Sequence, residues 1–172
     1  MKKIYIIIFF LGWNLICDSQ SIQWQKVFGG SREDFGNSIV KLNNGEFLVC
    51  GSSRSNDGDI YFHTTGNSKD VLLINIDSTG IVNWNNCFGG TSVDEGVRII
   101  QTYDNKFLFL SNSSSTNGDV TGIHNHGPDF WLSKLFDQDS IDWGNCFGSF
   151  DYETAYDVIQ TSDSGFIAMG ET

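Results

Sequence analysis

Ile22-Gln23-Trp24-Gln25-Lys26-Val27-Phe28-Gly29-Gly30 returns as Val82-Asn83-Trp84-Asn85-Asn86-Cys87-Phe88-Gly89-Gly90. It returns again as Ile141-Asp142-Trp143-Gly144-Asn145-Cys146-Phe147-Gly148-Ser149. The tryptophans stand 60 and then 59 residues apart. Self-similarity at this period marks a propeller, solenoid or array. The repeats cover residues 20–80, 81–139 and, as a partial unit, 140–172. Trp24, Trp84 and Trp143, with Gly29, Gly89 and Gly148, are their structural anchor positions.

Working outward from each Trp, three more strand-like runs follow. The second is Asn37–Leu42, matched by Val97–Gln101 and Tyr156–Gln160. The third is Glu46–Cys50, matched by Lys106–Leu110 and Gly165–Met169, and the fourth is Val71–Ile76, matched by Phe130–Leu135. Asn43-Asn44-Gly45 and Ser162-Asp163-Ser164-Gly165 suit tight hairpins, because Asn and Gly tolerate positive φ. The expectation is an all-β, β-propeller-like chain of four-stranded antiparallel blades, with about two and a half repeats present. The recurring Trp is expected to fill a blade–blade seam, and the Gly pair to let the chain turn. A β-solenoid fits less well, since its coils are shorter and lack four distinct strands.

The N-terminus has the layout of a secretory signal peptide over residues 1–19. Lys2 and Lys3 precede an apolar stretch, Ile4–Ile16, which gives way to Cys17-Asp18-Ser19-Gln20-Ser21. The stretch is shorter than the roughly 20 residues a spanning helix needs, so the chain is not expected to be an integral membrane protein. Cleavage after Ser19 or Ser21 is one route; a lipid anchor on Cys17 is the other, with Ile16 bulkier than lipoprotein processing prefers. Removing residues 1–19 takes away two lysines and one aspartate and moves the formal charge from −11 to −12. So acidic a surface repels phosphate backbones, which excludes nucleic acid as a partner class.

Cys50, Cys87 and Cys146 remain after processing, and their odd number leaves at least one unpaired. Their repeat equivalents are apolar: Val27 matches Cys87 and Cys146, while Leu110 and Met169 match Cys50. Small core residues are expected.

The candidate site residues are polar. Ser53–Asp59 and Ser113–Asp119 carry Asp57, Asp59 and Asp119 in Asn/Asp-rich strings. Such oxygens either brace a turn or hold a cation such as calcium. The calcium-loop pattern also asks for earlier carboxylates and a later Glu, which these strings lack. His124 and His126 would share one side of an extended segment near Asp119 and Asp129, as zinc or iron ligands or as surface histidines; His63 has no good counterpart. Asp34, Asp94 and Glu153 recur at one position. Carboxylates meeting across a pocket can cleave glycosides, but one position repeated in each blade fits a turn brace better. No Gly-x-Ser-x-Gly, phosphate-binding glycine loop or His-Glu-x-x-His string occurs.

The pattern Trp-x-x-x-Phe-Gly-Gly-(Ser/Thr)-x-x-Asp-x-Gly, then Gly-x-Phe, Asn-x-Gly-Asp and Asp-(Phe/Tyr)-Trp, resembles propeller-type repeats of secreted Bacteroidetes proteins. Those proteins often end in a type IX secretion sorting domain. Phe28, Gly29, Gly30, Asp34 and Gly36 match, as do Phe88, Gly89, Gly90, Asp94 and Gly96. The third unit departs at Ser149, Glu153 and Ala155, the second carries Asn105 at the hairpin glycine, and the first has Val71-Leu72 for the aromatic pair. The resemblance implies an exported β-propeller and supplies no catalytic residues. Asp77-Ser78-Thr79-Gly80 before Trp84 is similar to the tryptophan-docking turn of quinoprotein propellers, a likeness of structure rather than of cofactor.

The expected role is a binding or scaffold module at the cell surface or outside the cell, with a glycan, protein or matrix ligand. Part of a secreted polysaccharide hydrolase or lyase is the alternative, and a passive spacer the third. Propellers use about four to eight blades. The missing ones are expected from a longer protein or from a homo-oligomer.

Overall fold

The structure is a computed structural model and describes residues 21–61, 68–124 and 127–172. The proposed signal peptide, Cys17, His63 and His126 lie outside these residues. Ten strands, and no helix, occur among them. They are β1 (Asp34–Lys41), β2 (Phe47–Ser53), β3 (Asp70–Ile76), β4 (Val82–Phe88), β5 (Asp94–Gln101), β6 (Phe107–Ser113), β7 (Asp129–Leu135), β8 (Ile141–Phe147), β9 (Thr154–Gln160) and β10 (Phe166–Glu171).

They form two four-stranded meanders, β1-β2-β3-β4 and β5-β6-β7-β8, and a hairpin of β9 and β10, all antiparallel. The sheets face one another as propeller-like blades. They are out of phase with the sequence repeat: the Trp run closes the preceding sheet. Asn75 in β3 pairs with Trp84, and Lys134 in β7 pairs with Trp143. Trp24 breaks the expected pattern, because residues 21–33 form no strand. A Trp run needs the third strand of a preceding unit as its partner, and none precedes Trp24 among the described residues.

Alternation along each strand makes two apolar faces, and the faces that meet between successive sheets are buried. Leu48, Cys50, Val71 and Leu73 of the first sheet meet Ile99, Phe109, Trp131 and Leu135 of the second. Leu108, Leu110 and Leu132 of the second sheet meet Ala155 and Val158 of the third. Trp84 and Trp143 lie on these seams, as expected, whereas Trp24 rests on the turn before β4. Trp84 is tilted against Phe107 at 6.3 Å and Trp143 against Phe166 at 5.9 Å. Trp24 donates its Nε1 hydrogen to the Ser78 carbonyl at 2.8 Å.

Hairpin chemistry matches the sequence with one displacement. Gly45 has φ +89° and its counterpart Asn105 has φ +60°. In the third unit the left-handed residue is Ser164, at φ +68°, rather than Gly165. A side chain there costs about 1–2 kcal/mol. Ser164→Gly is therefore expected to raise stability by about 1 kcal/mol, read as an upward shift of the urea midpoint.

All three described cysteines are free and buried. Burial pushes the Cys50 thiol up to about 12 and, foremost among its causes, lifts Cys87 and Cys146 to about 12 as well. Thiolate is the reactive form. Iodoacetamide at mildly alkaline pH is therefore expected to leave Cys50 and Cys87 unlabelled in the native chain and to label them in urea, as peptide mass mapping would show.

Candidate functional site

The antiparallel course gives the blades two unlike ends. Hairpins turn at one end. The Gly-Gly loops and the described parts of the connections after β2 and β6, residues 54–60 and 114–120, gather at the other, which forms a rim. Asp34, Asp57, Asp59, Asp94, Asp119, His124, Asp129 and Glu153, the candidate residues within the described chain, lie on this rim.

There the recurring polar residues brace backbone. Asp34 accepts the Gly30 amide at 2.8 Å, Ser53 Oγ at 2.5 Å and Ser55 Oγ at 2.9 Å. Asp94 repeats this with the Gly90 amide at 2.9 Å, Ser115 Oγ at 2.6 Å and the Ser113 hydroxyl. The loop strings close the clamp from outside. Asp59 and Asp119 accept the amides of Gly29 and Gly89 at 3.2 and 3.0 Å, and their own amides donate back to those glycines' carbonyls. Asp57 accepts the Ser31 amide at 2.7 Å, and Asn117 accepts that of Thr91 at 2.9 Å. The Ser31 amide, foremost, holds the Asp57 carboxyl below its usual range. Asp57, Asp59 and Asp119 thus brace turns. Among the described residues no three His, Cys, Asp or Glu side chains converge as a metal site.

The glycines are required chiefly by close approach. A Cβ on Gly90 would lie 2.3 Å from the Asn117 carbonyl oxygen, and one on Gly30 would lie 2.4 Å from Asp57 Oδ1. The sequence reading assigned them to turning; crowding under the clamp is the stronger constraint.

Both oxygens of Asp34 and of Asp94 are engaged, which leaves neither poised for glycoside chemistry. Burial outweighs the serine donors at Asp94 and raises its carboxyl above the ordinary range. Neither a family model nor a curated protein matches this chain. What it does must be argued from its own geometry.

The third clamp differs. Ser149 donates its amide and its hydroxyl to Glu153 Oε1, at 2.9 and 2.7 Å. Asp129, fully buried at the start of β7, accepts the His124 amide on Oδ2 at 2.7 Å and faces His124 Nδ1 at 2.9 Å through the same oxygen. Sequence reasoning placed Asp129 beside the histidines but did not pair it with Glu153. The Asp at the start of each third strand, Asp70 and Asp129, was the available signal. A cleft of about 300 Å³ opens beside this pair, with His124, Pro128 and Tyr152 in its wall. Phe150 and Tyr152 stand exposed on the same rim, and Tyr61 is exposed beside β4, where its amide donates to Asn85 Oδ1 at 3.1 Å.

Proposed function

We propose that this chain is an exported β-propeller repeat module with a binding or scaffold role at the cell surface or outside the cell. One observation carries the reading. The polar residues that recur in the first two repeats are consumed in bracing the rim, so the rim is a stiff platform on which unit-specific residues remain available. Binding residues concentrate on such loops. Exposed Tyr61 and Tyr152 offer amphipathic rings of the kind that sugar and protein ligands use. The N-terminal layout and the resemblance to secreted repeats support export. Among the described residues, no helix is long and apolar enough to cross a membrane.

The end faces favour further blades as partners, whether from a longer chain or from other copies. Ile167 and Met169 are 56% and 59% exposed, whereas their repeat equivalents Leu108 and Leu110 are fully buried in a seam. At the other end Ile39 is 59% exposed, and its equivalents Ile99 and Val158 are 1% exposed. The two faces are the complementary halves of one seam, which is a heterologous, head-to-tail contact.

A glycan array and a pull-down from matrix extract test the reading. Binding is expected to fall by about tenfold or more in Tyr61→Ala or Tyr152→Ala, as for loss of an aromatic anchor, with the thermal midpoint unchanged. Absence of any ligand for the complete propeller would overturn it. Turnover of a polysaccharide by the complete propeller would favour the hydrolase or lyase alternative. Rim variants that change stability alone would favour a passive spacer.

A further inference from the structure

We propose that the rim cleft between the second and third sheets binds a neutral saccharide. Tyr152 is its aromatic platform, and His124 Nε2 accepts a sugar hydroxyl. This ligand class rests on the reading of the rim as the binding surface of the module.

The imidazole is held in one orientation. Asp129 is fully buried; its Oδ2 accepts the His124 amide at 2.7 Å and faces the ring's Nδ1 at 2.9 Å. A carboxylate can only accept, so the neutral ring carries its hydrogen on Nδ1 and keeps a lone pair on Nε2. Nδ1 faces the interior and the side chain is 45% exposed, so the Nε2 edge is the part that lines the cleft. Hydroxyls come from the loop after β6. Ser113 and Ser115 turn inward to Asp94, and the alternate residues, Ser114 and Thr116, line the cleft instead. Ile123 and Pro128 add apolar wall, and Tyr152, 72% exposed, adds a ring.

The chemistry of this wall selects the ligand. The volume, about 300 Å³, lies at the lower end for small-molecule sites. Among the described residues, no Lys, Arg, Asp or Glu lines the cleft. Phosphates, sulphates and carboxylates would find no cation there, in a chain of formal charge −11. Ammonium groups would find no carboxylate in the wall. What remains is a set of neutral donors and acceptors beside an aromatic ring. Sugars match it, because they present hydroxyls at their edges and C–H faces that pack on aromatic rings.

These residues belong to one seam. The preceding seam has Arg54, Asn56 and Val93 where this one has Ser114, Thr116 and Tyr152. Arg54 is there paired with Glu33 at 3.5 Å, so that seam carries charge where this one is neutral. The outward aspect of Tyr152 is a property of its repeat position. Val93 is 38% exposed with the loop after β6 beside it, the Ser114 amide donating to the Val93 carbonyl at 2.9 Å.

The full chain is titrated by calorimetry with cellohexaose, laminarihexaose, xylohexaose and mannohexaose. Polygalacturonate fragments and chitosan oligomers serve as charged controls. At least one neutral sugar is expected to bind. Tyr152→Ala should weaken it about tenfold or more, as for loss of an aromatic anchor. His124→Ala should weaken it about three- to tenfold, the loss of one hydrogen bond. Tyr103→Ala, 67% exposed at the hairpin end, should change nothing. Imidazole nitrogen shifts at mildly alkaline pH should place the His124 hydrogen on Nδ1 in the wild type and on both nitrogens, as a mixture, in Asp129→Asn. A wild-type ring with its hydrogen on Nε2 overturns the acceptor role, and this readout stands even if the variants fail to fold. Sugar binding undiminished in both cleft variants, or a preference for the charged sugars, overturns the saccharide site and leaves the binding role intact. A wild type that binds none of the neutral sugars also overturns it. The binding role then survives if the matrix pull-down still yields a protein ligand, and falls with it if nothing is bound.

Discussion

Trp131→Ala is expected to cost about 3–5 kcal/mol, the range for deleting a fully buried aromatic. Trp131 is fully buried in β7, and its ring meets Phe109 edge-on at 5.1 Å. Around it, Phe88, Leu73 and Val71 come from the first sheet, and Ile99 and Leu135 from its own. The ring fills a seam between two sheets, and the second sheet cannot close into the hole without moving away from the third. Truncation should therefore leave a cavity close to the volume removed. Trp131→Phe discriminates between volume and polarity. Trp131 Nε1 is buried without a hydrogen-bond partner, and phenylalanine removes that unmet donor while keeping most of the ring. Its cost should be less than half that of alanine. Urea unfolding followed by fluorescence and circular dichroism would measure both. If the two substitutions cost the same, the indole N–H has a water partner and part of the energy lies there.

The architecture was legible because it is written three times. Spacing of the Trp runs, period-2 alternation and the Asn/Gly hairpins located the neighbourhoods of all ten strands and the seam role of Trp84 and Trp143. The phase of the sheets was not legible. A Trp run carries the same residues whether it opens one blade or closes the previous one, and only the pairing of Trp84 with Asn75 decides. Trp24 shows the consequence, since its run has the right sequence and no strand to pair with. The site was legible in a similar measure. Recurrence marked Asp34, Asp94 and Glu153 as turn braces, and Asp34 and Asp94 are bonded to their own loops. Convergence of Asp129 with Glu153 could not be read, because the two belong to different sheets and meet only where Gly148 leaves room.

Asp94→Ala is expected to destabilise the chain by about 3 kcal/mol, because three buried donors lose one acceptor at about 1–3 kcal/mol each. They are the Gly90 amide and the hydroxyls of Ser113 and Ser115. Ser115 Oγ also receives the Ser92 amide at 3.0 Å, so its displacement would loosen a fourth bond. The loss is offset in part. Burial is the leading influence on Asp94 and raises its carboxyl above 3.8, which means the folded chain disfavours its charge. A raised folded-state value contributes stability that is fully present below the unfolded value and is lost as pH rises through the folded one. Wild type and Asp94→Ala should therefore differ most at acid pH, and the gap should narrow toward neutrality. Asp34→Ala should cost less, since Asp34 makes the same bonds from a half-exposed position. Urea midpoints across the acid-to-neutral range would settle the sign. A gap that widened with pH would mean that the serine and amide donors outweigh desolvation, and that the clamp grips a carboxylate rather than a carboxylic acid.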